Sequence, residues 1–158
     1  MDIELQLTVE NLLARYVHAL DEDRLEDWPD FFIESGHYRI TTAENHERGL
    51  PLPIIYADSR AMLRDRVSAL RHANVYEAQR YRHTVSATLV ERHGTSTVRA
   101  VSNFQVLRVM QTGETVLYAS GRYLDRILLN GDGGKAQFEE KIVVCDSRRF
   151  DTLLAIPL

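Results

Sequence analysis

His83 and Asp21 are the residues of this chain best placed to move a proton. His83 lies where Tyr81, His83, Val85, Ala87 and Leu89 alternate with Arg82, Thr84, Ser86 and Thr88. That period of two puts the histidine on the apolar face of a strand. Asp21 follows Leu20 at the end of an apolar stripe with helical spacing, so its carboxylate can point into the space the helix and strand enclose. An imidazole paired with a carboxylate in an apolar cavity can remove or deliver a proton, the chemistry of dehydratases and isomerases. Tyr16 and Tyr38 can add hydroxyls. The structural reading makes His83 a core histidine with one satisfied nitrogen and Asp21 a helix-end turn residue. It is favoured because no second base is fixed nearby.

Metal and nucleophilic chemistry find less support. A Rieske iron–sulfur cluster needs two cysteines and two histidines, and Cys145 is the chain's one cysteine. The six histidines, 18, 37, 46, 72, 83 and 93, show no HxxxH or HExxH spacing. There is no GxSxG elbow. Cys145 ends a strand-like run and reads as a small buried residue rather than a thiolate. Gly131, Asp132, Gly133 and Gly134 join two strands, so they form a hairpin turn and not a phosphate loop.

The elements that position these residues follow from periodicity. Val9, Leu12, Leu13, Tyr16, Val17 and Leu20 make one face of a helix, with Thr8 as its expected N-cap. A short second helix, Leu25 to about Phe32, presents Leu25, Trp28, Phe31 and Phe32, with Pro29 at its first turn or a break. A strand His37–Thr41 follows, then an ordered loop over 42–56. Asp58 is the expected cap of a third helix reaching His72. Leu63, Val67 and Leu70 form its buried face, and Arg60, Arg64 and Arg71 a solvated or partner-facing one. The second half holds strands near 81–89, 96–110, 115–129 and 136–145, separated by Gly-containing turns. Helices first and hairpins afterwards predict an α+β fold, the helices packed on one face of a curved antiparallel sheet. One domain, 1–158, accounts for the whole chain.

Composition excludes several classes. Net charge is −4 and the arginines are dispersed, so no nucleic-acid partner is expected. No apolar run approaches the ~20 residues that span a bilayer, and MDIELQLTVE has no basic, then apolar, leader pattern. One cysteine suits a reducing compartment, and the expected location is cytoplasmic. The apolar ending, DTLLAIPL at 151–158, is expected to tuck into the fold or against a neighbour.

Several segments carry a resemblance: WPDFF at 28–32, HYRI at 37–40, NHERGL at 45–50, ADSRAMLRDRVSALR at 57–71, RYRH at 80–83, VLRVMQTGET at 106–115, CDS at 145–147 and the DTLLAIPL ending. In this order they resemble the small (β) subunits of Rieske-type aromatic-ring-hydroxylating dioxygenases, nearest those acting on aromatic carboxylic acids, terephthalate first and anthranilate and salicylate next. The resemblance implies a cystatin-like, NTF2-like cone. It also implies a large (α) subunit as partner, typically in an α3β3 hexamer with β–β contacts. That large subunit would hold the 2Fe-2S Rieske cluster, the mononuclear Fe(II) and the substrate pocket, fed from NAD(P)H by a reductase. No cofactor, metal ligand or catalytic residue is implied in this chain. The alternative is a stand-alone cone enzyme, a dehydratase or isomerase, using His83 and Asp21.

Overall fold

A computed structural model describes residues 1–50, 53–72, 78–148 and 156–158. Helix α1 runs Ile3–Asp21 and buries Leu5, Val9, Leu12, Leu13, Tyr16, Val17 and Leu20 along one stripe. Asp2, not Thr8, is its cap: the Asp2 carboxylate accepts from the Leu5 amide at 3.1 Å. Thr8 is inside the helix and donates to the Glu4 carbonyl. The stripe reaches back to Leu5, four residues before Val9, while Ile3 and Leu7 are exposed. The second helix is a 3-10 helix, Leu25–Phe31, with Pro29 inside it. Its three-residue turn stacks Leu25, Trp28 and Phe31 on one side, and Leu25 and Trp28 are fully buried.

Strand β1 spans Phe32–Thr42, longer than the His37–Thr41 expected. The 42–56 segment is not all loop: it contains helix α2, Ala43–Glu47, and the start of strand β2, Ile55–Ala57. Helix α3 covers Arg60–His72 and buries Leu63, Val67 and Leu70 as expected. Its cap is Ser59 rather than Asp58, the Ser59 Oγ accepting from the Met62 amide. Arg60, Arg64 and Arg71 of α3 are engaged within the chain. Arg60 donates twice to the Phe32 carbonyl and also bonds Asp132, Arg71 grips Asp23 and Glu26, and Arg64 reaches Asp30. They stitch α3 to the 3-10 helix and to the turn at Asp132.

Strands β3 (Gln79–Arg92), β4 (Thr97–Met110), β5 (Thr115–Leu128) and β6 (Gln137–Cys145) complete one sheet in the order β2-β1-β6-β5-β4-β3. All pairs are antiparallel except β1 with β6, which is parallel. The hairpin signals revealed consecutive strands only and could not show that β1 enters beside the last one. Strand β3 carries a bulge between Ser86 and Leu89, with Ala87 at φ 53°. The extra residue resets the alternation. Leu89, expected inward with His83, is instead 72% exposed on the outer face.

The core lies between α1, α3 and the inner face of the sheet. Trp28, Phe32 and Tyr38 pack edge-to-face around it, with Phe138 tilted against Phe32. Gly121 on β5 lies directly against β6: a Cβ there would meet the Val144 carbonyl oxygen at 1.9 Å. Backbone cannot yield as a side chain does. Gly121→Ala is therefore expected to lower stability by about 2–3 kcal/mol in urea unfolding monitored by circular dichroism.

Candidate functional site

The fold brings Asp21 and His83 together. Asp21 closes α1, and β3 is the edge strand of the sheet. Asp21 Oδ1 accepts from His83 Nδ1 at 2.6 Å, and Asp21 Oδ2 accepts from the His83 backbone amide at 2.9 Å. Both side chains are almost wholly buried, at 0% and 3% exposure for His83 and Asp21. With Nδ1 engaged by the carboxylate, Nε2 is the remaining ring nitrogen, and it is buried without a hydrogen-bond partner. The pair thus has the geometry of an oriented base. The same bonds also have a structural effect, since the carboxylate satisfies an outward-facing amide of an edge strand. A groove of about 590 Å³ beside the pair is lined by Leu20, Asp21, Gln79, Tyr81, Arg82 and Ile156 among others.

Tyr16 and Tyr38 do not join that pair. Tyr16 Oη donates to the Leu158 carbonyl at 2.9 Å and accepts from Trp28 Nε1 at 3.1 Å. Tyr38 Oη donates to the same carbonyl at 3.0 Å and accepts from the Leu158 amide. The hydroxyls expected at a cavity therefore hold residue 158, and Ile156 and Leu158 are buried. The expectation that the tail tucks into the fold holds for residues 156–158; residues 151–155 lie outside the described residues.

A buried ion pair escaped the sequence reading. Lys141 Nζ lies 3.2 Å from Asp125 Oδ1 and 3.3 Å from Oδ2, both side chains fully buried. The ammonium sits 3.5 Å from the Tyr123 ring centroid and 4.6 Å from those of Tyr16 and Phe138. The aromatic faces replace part of the hydration that burial removes. Burial still dominates both groups: it raises the Asp125 carboxyl to about 6 and lowers the Lys141 ammonium to about 8, each partly offset by the other. A signal was present, because Asp125 falls on the inward register between Tyr123 and Ile127, and Lys141 on that of Val143 and Cys145.

The donors do not fit an iron centre. Among the described residues no group of three or more His, Cys, Asp or Glu side chains could hold a metal. Cys145 is buried at the end of β6, and burial pushes its thiol up to about 12. A cluster ligand must be a thiolate.

Two expectations follow. Cys145 should resist alkylation in the folded protein at pH 7.5 and react as one thiol in denaturant, read by mass spectrometry; rapid native labelling would contradict the assigned burial. Removing one member of the buried pair, by Asp125→Leu or Lys141→Met, should cost about 3–5 kcal/mol, while the double variant should approach or exceed the parent at pH 7. The sign with pH follows from proton binding. The folded carboxyl holds its proton longer than the ordinary 3.8, so stability falls between about pH 4 and 6. The folded ammonium loses its proton below the ordinary 10.5, so the same stability returns above about pH 8. The shallow minimum between should vanish from the denaturation curves of the double variant.

Comparison with known proteins gives this geometry its family. The model of the ring hydroxylating beta subunit matches residues 15–152. The chain is 45% identical over 155 residues to subunit β 1 of the terminal oxygenase component of terephthalate 1,2-dioxygenase from Comamonas sp., with 98% of each chain covered. It is 38% identical to the small subunit of anthranilate 1,2-dioxygenase from Burkholderia cepacia, covering 99% of this chain and 96% of that one. Among solved structures it superposes with a TM-score of 0.88, at 35% identity over 97% of this chain and 96% of the other, on a protein assigned as the β subunit of an aromatic-ring-hydroxylating dioxygenase from Novosphingobium aromaticivorans. A protein from the same organism assigned as a scytalone dehydratase shares the fold, at TM-score 0.73 and 13% identity over 98% of this chain and 93% of that one. From the family match and the near full-length identities, the chain belongs to the ring-hydroxylating β-subunit family.

Proposed function

We propose that this chain, as one domain over 1–158, is the non-catalytic small subunit of the oxygenase component of a dioxygenase acting on an aromatic carboxylic acid of the terephthalate type. The observation that carries the reading is the 45% identity, over 98% of both chains, to a terephthalate dioxygenase β subunit. Its partner is the large subunit, in an α3β3 hexamer with contacts between small subunits. That partner holds the 2Fe-2S Rieske cluster and the Fe(II), with electrons from NAD(P)H through a reductase. The role of this chain is geometric: its sheet and buried aromatic core form a stiff block that fixes the spacing of large subunits. No helix among the described residues is long and apolar enough to cross a membrane, and we place the assembly in the cytoplasm.

A second reading, a stand-alone dehydratase or isomerase with His83 as base and Asp21 orienting it, draws on the unpartnered Nε2 and the fold shared with the dehydratase-like protein. The two readings separate experimentally. The chain expressed alone should bind no iron and turn over nothing. Co-expressed with its large subunit, it should yield a hexamer that consumes O₂ in proportion to aromatic carboxylate. His83→Ala should lower the yield of assembled complex, because it strands the buried Asp21 carboxylate, yet leave turnover per assembled iron within about twofold. A loss of tenfold or more in turnover per iron, in a complex of normal mass and iron content, would end the non-catalytic reading.

A further inference from the structure

Arg39 is a half-buried cation that the fold leaves without an anion. It lies on β1 between the buried Tyr38 and Ile40, so its side chain leaves the sheet on the face turned away from α1 and α3. Its Nε is shut off from solvent with no hydrogen-bond partner, and it forms no ion pair among the described residues. Taking part of a cation out of water without a partner is costly. The acids of the neighbouring elements are engaged or placed elsewhere. Glu44 of α2 meets Arg148 at 2.9 Å and Arg48 at 3.3 Å. Glu140, paired with His37 two residues before Arg39, meets Arg126 at 3.8 Å. Glu47, the last residue of α2, is exposed and does not line the cavity at Arg39.

That cavity has a volume of about 280 Å³. Arg39 and Thr41 of β1, Asn45 and His46 of α2, and Leu50 and Pro53 beyond α2 line it, and no acidic side chain does so among the described residues. The guanidinium, the Thr41 hydroxyl, the Asn45 carboxamide and the His46 ring can all donate hydrogen bonds. Leu50 and Pro53 supply apolar wall. Ile54, next after Pro53, and Tyr56 are 44% and 47% exposed. Tyr56 is the cross-strand partner of Arg39, so the two side chains share one face of the sheet. The Tyr56 ring lies edge-on to His37, with centroids 6.4 Å apart. Donors gathered around an unpaired cation, with apolar and aromatic surface beside them, match a small molecule that carries a carboxylate on an apolar ring. The volume lies just under the roughly 300 Å³ at which small-molecule pockets begin, which limits the occupant to about a single ring.

We propose that this pocket binds a small aromatic carboxylate. The Arg39 guanidinium takes the carboxylate, Thr41 and Asn45 donate to it, and Leu50 and Pro53 meet the ring. The choice of an aromatic acid rests on the functional reading above; the donors alone ask only for a carboxylate. A planar guanidinium matches the two oxygens of a carboxylate in a way that an ammonium does not. An acidic side chain of another protein has the same chemistry, and the experiment separates the two sources.

Benzoate and terephthalate are titrated into the full chain, with binding read by calorimetry and by two-dimensional NMR of the Asn45 carboxamide. Benzoate should saturate one site and shift that signal. Benzamide, which keeps the ring and loses the charge, should bind about tenfold more weakly or worse. Arg39→Gln should raise the dissociation constant for benzoate about tenfold or more, and Arg39→Lys by less, with circular dichroism unchanged in both. Arg92→Gln, at the far end of β3, should bind like the parent. Acetate or inorganic phosphate binding as tightly as benzoate would mark an adventitious anion only and overturn the proposal. Benzoate affinity that survives Arg39→Gln would overturn it too. If that same variant also weakens assembly with the large subunit, Arg39 takes an acidic side chain of another chain instead. Each of these failures leaves the subunit reading intact. A parent chain that binds benzoate through Arg39 yet joins no large subunit would keep the pocket and overturn the subunit reading.

Discussion

One carboxylate holds the two halves of the fold together. Asp21 ends the long helix, and each of its oxygens takes a hydrogen from His83, one from the ring and one from the main chain. The sheet has an open edge at β3, and an unpaired amide there would otherwise meet either water or a foreign strand. Near the other end of the helix Gln6 Nε2 donates to the Thr88 carbonyl, on the same edge strand. The helix therefore lies along β3 as a covering element held at two points. The inward placement of Tyr16, Leu13 and Leu20 depends on that alignment.

The interior holds several polar groups. An ammonium and a carboxylate are shut away with three aromatic rings. Tyrosine hydroxyls meet the backbone of Leu158. Such groups contribute little net stability, but they penalise every arrangement that leaves them unmatched. A lysine that can be accommodated only between Tyr16, Tyr123 and Phe138 fixes the register of β6 against β5 and the roll of α1 above them. Leucines in the same places would tolerate slippage. For a protein whose proposed work is to hold other subunits at set distances, a single well-defined packing matters more than a deep energy well.

Legibility in the sequence followed the physics of each element. The long helix, α3 and the later strands announced themselves through periodicity, and the inward His83 followed from the same alternation. Asp21 was named from its place at a helix end, although nothing local showed that its carboxylate would also grip an amide 62 residues away. What failed to show was non-local or conformational. The bulge at Ala87 has no glycine to mark it, so the reversal of Leu89 was hidden. The Asp2 cap was masked by exposed residues in the first turn. The α3 arginines looked free because their acids lie in another segment. Asp125 and Lys141 stood on apolar registers and were passed over because neither strand, read alone, shows which charge meets which. The pairing appears only when the two are laid side by side.

The parallel pairing of β1 with β6 has a consequence for how the molecule comes into being. Residues 32–42 find their central neighbour only in residues 138–145, so the loop to be closed takes in about two thirds of the chain. Loop closure of that length is slow, and topologies dominated by distant partners fold late. During synthesis the β3–β4–β5 meander can form on local contacts alone, while β1 and its apolar side chains wait for β6 to leave the ribosome. Pairing within β3–β4–β5 therefore needs no distant segment. The interior between α1 and the sheet closes only when residues 138–145 have been made.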